Sequence, residues 1–188
     1  MGIRNAFLKP IVAASGLATA VFLTSVTAVA AAELSELMHE LRRADAAAAA
    51  TLAADIRLQW DKSGSASADL LLKRGRDAME RGDVAAAIGH FTALVDHAPG
   101  FAAGHHARAR AYFEAGLLGP ALQDLEAALA LNPQHFDSIA GLAALFEAIG
   151  RPAEAYAAYA EVKAIHPHHP DVTEALQRLE PLVRGRAL

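Results

Sequence analysis

The sequence predicts an all-α protein built from stacked helix–turn–helix units, and three observations carry that prediction. About a quarter of the 188 residues is alanine, the best helix former and a poor strand former. Pro99, Pro133 and Pro167 recur at a spacing of thirty-four, as do Gly82, Gly116 and Gly150, and Ala87, Ala121 and Ala155. Further columns at that spacing match in size: Gly75, Ala109 and Ala143 are small, and Phe91, Leu125 and Tyr159 are large. A fixed period of this length marks a repeat architecture. With 54% hydrophobic and 6% aromatic residues, the composition excludes a β-sandwich, a barrel and a disordered chain. The length suits one domain or one short repeat array.

In chain order, residues 1–32 read as a signal peptide, to be set apart from the fold. Arg4 and Lys9 form a basic start, and Ile11 to Ala30 carry no charge. Ala28-Val29-Ala30 and Ala30-Ala31-Ala32 both fit a small-residue cleavage site, after Ala30 or Ala32. About twenty apolar residues also suffice for an uncleaved anchor. Ser15, Gly16, Thr19, Thr24, Ser25 and Thr27 make the stretch only moderately apolar, which favours cleavage. The expected location is periplasmic, with an inner-membrane anchored form facing the periplasm as the alternative. The chain has no cysteine, so it has neither a lipid attachment site nor a disulfide. Taking Arg4 and Lys9 from the 17 basic residues leaves 15 against 21 acidic ones. The net charge moves from −4 to −6, and a nucleic-acid partner is not expected.

Residues 33–67 read as a degenerate helical pair and linker, capping the N-terminal end. Leu34, Leu37, Met38 and Leu41 make the stripe of a helix over 33–44, and Leu52, Ile56 and Trp60 that of a helix over 46–61. Lys62-Ser63-Gly64-Ser65 is the loop. Three repeats follow, over 68–101, 102–135 and 136–169. In each, the glycine ends the first helix in a left-handed conformation. The proline follows the second helix and helps to stop it. Residues 170–188 read as a capping helix, over 170–183, and a tail. Val172, Leu176, Leu179 and Val183 form its apolar stripe, and Pro181 is expected to fray its end.

These columns resemble the tetratricopeptide repeat, with its small, aromatic, alanine and terminal-proline positions. The resemblance covers the three repeats. It departs where Leu71, His105 and Ile139 stand in place of an opening tryptophan. The whole chain after residue 32 is also similar to small exported bacterial tetratricopeptide-repeat proteins, on Trp60 before a Ser-Gly-Ser turn and on His135-Phe136. The resemblance implies a right-handed helical solenoid whose concave face, lined by the first helices, binds a partner protein or extended peptide. On this chain that face implies a groove of Asp69, Leu72, Arg76, Met79, His106, Arg110, Phe113, Asp137 and Glu147.

Arg76 and Arg110 suit carboxylates, because a guanidinium offers paired hydrogen bonds. The alternative is a helical ion pair for each, Arg76 with Glu80 and Arg110 with Glu114, four residues on. The Lys/Asn clamp by which some family members grip chaperone-tail carboxylates is absent, since Leu72, Arg76, Ala107, Asp137 and Gly141 occupy the comparable places. His166, His168 and His169 lie in one turn, with His135 a repeat earlier. A solvated turn is the simpler reading, and a metal- or pH-responsive binder the alternative. No phosphate loop, metalloprotease helix or nucleophile elbow is present, and Asp124 reads as a surface charge. The expectation is a non-catalytic adaptor or scaffold without cofactor or metal. A self-associating structural protein is the alternative.

Overall fold

The structure is a computed structural model that describes residues 31–185. The expected signal segment therefore lies, but for residues 31 and 32, outside the described residues. The chain divides into two compact units, residues 1–36 and 37–188. In the first, the described residues 31–36 are helical. The account below concerns the second.

Every regular element among the described residues is a helix. α1 covers residues 31–41. Then come α2 (Ala46–Trp60), α3 (Ala66–Glu80), α4 (Val84–His97), α5 (Ala102–Glu114), α6 (Leu118–Leu131), α7 (Phe136–Ala148), α8 (Pro152–Ile165) and α9 (Val172–Arg184). From α3 to α9 each helix packs on the next, and α3 also touches α5 as α5 touches α7. α3, α5 and α7 thus stand side by side, as the first helices of a repeat array do.

The thirty-four-residue period has a local cause. Gly82, Gly116 and Gly150 sit at φ of 75°, 73° and 73°. At each, two backbone bonds close the end of the preceding helix. Gly82 and Asp83 donate to the carbonyls of Met79 and Ala78, Gly116 and Leu117 to Phe113 and Tyr112, Gly150 and Arg151 to Glu147 and Phe146. This is the paired-bond end of a helix that needs a left-handed residue, which glycine supplies without a Cβ clash. Repeating it at a fixed interval repeats the angle between paired helices.

Between the helices, the small columns set the spacing. Ala87, Ala121, Ala155 and Ala143 are wholly buried, and Ala109 nearly so. Gly75 carries the closest approach: a Cβ placed there would lie 2.2 Å from the ring of Phe91, which is itself buried with Leu72 and Leu94. Gly75→Ala gains helix propensity but forces that ring to move within a packed core. A net loss of about 1–2 kcal/mol in chemical unfolding is expected. Adding Phe91→Leu, which copies the Ala109–Leu125 pairing of the next repeat, is expected to recover most of it. Equal stability of Gly75→Ala and wild type would show that the ring gives way freely.

Two sequence expectations are corrected. α9 runs through Pro181 to Arg184, and Gly185 N–H donates to the Pro181 carbonyl. One missing N–H in the last turn does not outweigh the burial of Val172, Ala175 and Leu179. Asp124 is no surface charge: it is 4% exposed. It accepts from Arg108 Nε at 2.6 Å and Nη2 at 2.8 Å, and faces His105 Nδ1 at 3.1 Å. The last turn of α2 reaches α7, where Arg57 meets Asp137 and Trp60 meets His135 and Phe136.

Candidate functional site

The first helices line a cleft, and α2 supplies one wall of it. Its main hollow, about 490 Å³, is bounded by Arg76 on α3, Ala103, His106 and Arg110 on α5, and His135 and Asp137 where α7 begins. Arg57, Trp60 and Asp61 at the end of α2 complete it. A second hollow of about 400 Å³ runs beside Met79, Glu80 and Glu114. A third, about 190 Å³, is mostly apolar, between Phe113, Leu125, Gly141 and Ala144. His106 and Arg110 border all three.

The end of α2 is held by charge and by rings. Arg57 donates to both oxygens of Asp137, at 2.7 and 2.8 Å, across eighty residues of chain. Arg76 donates to both oxygens of Asp61, at 2.7 and 2.6 Å. The Trp60 ring stacks on His135 with centroids 4.4 Å apart and meets Phe136 at 4.8 Å. The Arg57 guanidinium lies over Phe136, 5.1 Å from its centroid. Forked pairs of this kind fix geometry as well as adding energy.

Local sequence explains the start of α7. Ser138 N–H donates to His135 Nδ1 at 3.2 Å, so the imidazole serves as the helix N-cap. The ring must be neutral at that nitrogen. Ser138 Oγ sits between His135 Nδ1 at 2.9 Å and His106 Nδ1 at 3.1 Å. Burial, aided by the neighbouring His135, pushes His106 down to about 3. Burial likewise lowers His135. For Asp137, burial works to raise the carboxyl, but the Arg57 hydrogen bonds outweigh it and hold it below its usual range. The floor of the cleft therefore presents neutral imidazoles beside a paired carboxylate at neutral pH.

Of the residues expected in the groove, Arg76, Met79, His106, Arg110, Phe113 and Asp137 are brought together here. Three are not. Leu72 is 3% exposed, in the core with Phe91 and Leu94, out of a partner's reach. Asp69 accepts from Ser63 N–H at 3.1 Å and Ser63 Oγ at 2.5 Å, pinning the loop before α3. Glu147 accepts from Arg178 on α9 and is committed to that helix. The helical ion pairs Arg76–Glu80 and Arg110–Glu114 do not form: Arg76 goes to Asp61, and Arg110 joins no ion pair among the described residues. The histidine turn is not solvated throughout. His166 is 3% exposed, its ring edge-on to Phe136, while His168 is exposed. Burial pushes His166 down to about 4. Among the described residues no three His, Asp or Glu side chains converge as a metal ion needs. Sequence reasoning missed Arg57, Trp60, Asp61 and His135 as cleft residues. The one signal was the sole tryptophan of the chain between an arginine and an aspartate.

Comparison with known proteins finds the same repeat. The tetratricopeptide-repeat model matches residues 118–179. A TPR repeat-containing protein of Rhizobium etli is 28% identical over 153 residues, covering 81% of this chain and 75% of its own. Residues 118–179 are tetratricopeptide repeats, and the chain is similar over most of its length to a tetratricopeptide-repeat protein. Among solved structures, the first tetratricopeptide domain of Spaghetti (RPAP3), bound to the HSP90 peptide SRMEEVD, superposes with a TM-score of 0.61. It is 24% identical and covers 63% of this chain and 94% of that one. The Sgt2 domain of Aspergillus fumigatus gives 0.61 at 21% identity, covering 65% and 83%. At these identities the likeness concerns the fold. As a tetratricopeptide-repeat domain the chain is a protein–protein interaction module of a typically non-catalytic kind. No helix among the described residues is long and apolar enough to cross a membrane.

Proposed function

We propose that the protein is an exported adaptor that binds a partner peptide along the cleft of α3, α5 and α7. The observation that carries this is Arg110. It is exposed, joins no ion pair among the described residues, and stands where all three hollows meet. A free guanidinium beside an apolar pocket suits a partner carboxylate flanked by an apolar side chain, the pocket of Phe113, Leu125 and Gly141 taking the latter. Export rests on the basic, uncharged and small-residue segments of residues 1–32 and places the partner in the cell envelope. The chaperone tails held by domains such as RPAP3 are not the expected ligand, since Leu72 is buried and Asp137 is paired.

The test is cross-linking in the native envelope, with wild type beside Arg110→Ala. The wild type is expected to capture a discrete partner, and the variant to lose about tenfold of it, as a well-placed arginine contact does. Arg110 makes no structural ion pair, so the melting temperature is expected to stay unchanged. Undiminished capture by Arg110→Ala overturns the proposal.

A further inference from the structure

α2 occupies the cleft in a particular way. Its last turn and C-cap present an indole and a carboxylate side by side. Trp60 lies flat on His135, and Asp61 sits in the fork of Arg76. These are the contacts that a bound segment would make with first-helix side chains. The geometry points to α2 as a displaceable internal ligand of the cleft, with Trp60–Asp61 holding the place of an aromatic–carboxylate pair in the partner. The inference rests on reading the cleft as the partner site and names the chemistry that the partner brings: an aromatic residue followed by an acidic one.

Three features make α2 displaceable rather than structural. It has none of the larger helix–helix contacts that join α3 to α9, and its departure would uncover the Phe136 ring for a partner's aromatic group. Both of its charge pairs are partly open to water: the Arg57 and Arg76 side chains are 43% and 47% exposed. Water and a competing carboxylate can therefore reach both guanidinium groups. The hinge is short and defined: Gly64 has φ of 77°, and Ser63 is anchored to Asp69 on α3. The chain before Ser63 can therefore swing while α3 stays in place. Once α2 leaves, Arg76 joins Arg110 as a second unpaired cation, and His135 presents an open ring face. A partner carboxylate that takes Arg76 displaces Asp61 by direct competition.

Trp60 is the only tryptophan, so the native emission of the full chain reports α2 docking. The probe is a synthetic peptide of residues 52–61 carrying Trp60→Phe, which leaves the protein's indole as the sole signal. Two hosts are compared, wild type and Arg57→Gln/Asp61→Asn. The double variant is expected to show red-shifted Trp60 emission with unchanged helical circular dichroism. Its affinity for the peptide is expected to exceed that of wild type about tenfold or more, because the competent open state is no longer a minor one. Adding Arg76→Ala is expected to abolish the gain. Should the double variant lose helicity, Asp61→Asn alone tests the same competition through a single exposed pair.

Wild-type emission already typical of exposed indole overturns the inference, and so does release of Trp60 with no gain in peptide affinity. Neither result touches the adaptor reading, which stands or falls on partner capture through Arg110. Conversely, undiminished capture by Arg110→Ala with the tenfold gain present removes that reading and leaves the internal ligand in place.

Discussion

Asp124→Ala is expected to lower the free energy of unfolding by about 3 kcal/mol, the loss typical of removing one partner from a buried ion pair. The carboxylate holds two cations from α5. It bridges the Arg108 guanidinium and the ring of His105, whose Nε2 faces the Pro99 carbonyl at 3.0 Å. Both ring nitrogens thus face acceptors, and only the imidazolium satisfies both. The hydrogen bond to Asp124 is the main cause that raises His105 above 6.5. For Asp124, burial works against ionisation, but the bonds from Arg108 and His105 prevail and lower it.

The pH signature follows by linkage. A raised histidine contributes stability that is complete below its unfolded pKa of about 6.5 and lost as pH rises through its folded value. A lowered carboxylate contributes stability that is complete above its unfolded value of about 4 and lost as pH falls through its folded one. Wild-type stability from this cluster is therefore largest between those two pH values. In Asp124→Ala the alkaline loss is expected to shrink, since His105 no longer faces a carboxylate and keeps only the Pro99 carbonyl. Denaturant unfolding at several pH values checks both parts. A variant within about 0.5 kcal/mol of wild type, the range of ordinary surface changes, would return Asp124 to the status of a surface charge.

Phe136→Ala is expected to cost about 3–4 kcal/mol, the usual range for emptying a buried aromatic site. The ring is wholly buried at the junction of α2, α7 and the turn after α8. Trp60, the Arg57 guanidinium and His166 all lie against it, at 4.8, 5.1 and 5.4 Å. Its loss is expected to destabilise the fold and to red-shift Trp60 emission together. A lower melting temperature with unchanged emission would separate α2 docking from the core of the repeats.

The repeat units are legible because their determinants are local. Gly82, Gly116 and Gly150 act on backbone angles within their own turn, and Ala87 and Ala121 are buried in clusters that include the first helix of their own unit. Any window of thirty-four residues contains both the cause and its effect. The candidate site was legible on one side only. Periodicity places Arg76, His106 and Arg110 on neighbouring first helices, one repeat apart. It also put Leu72 there, although the packing around Phe91 draws that side chain into the core. Asp69 and Glu147 have the right register, but Ser63 and Arg178 claim their carboxylates. A residue's place on a helix face follows from its register; its partner follows from what else is near.

By itself, then, the sequence determined the all-helical class, the three left-handed helix ends and the spacing of the paired helices, because each depends on contacts short in sequence. The tertiary structure decided where α2 lies. Arg57 meets Asp137 across eighty residues of chain, and Trp60 meets His135 across a comparable span. The thirty-four-residue columns do not encode such encounters, since none of them extends into α2 and its alanine-rich surface fits many positions. They depend on the stack of α3 to α9 offering a carboxylate, a guanidinium and a ring face at the spacing that the last turn of α2 presents.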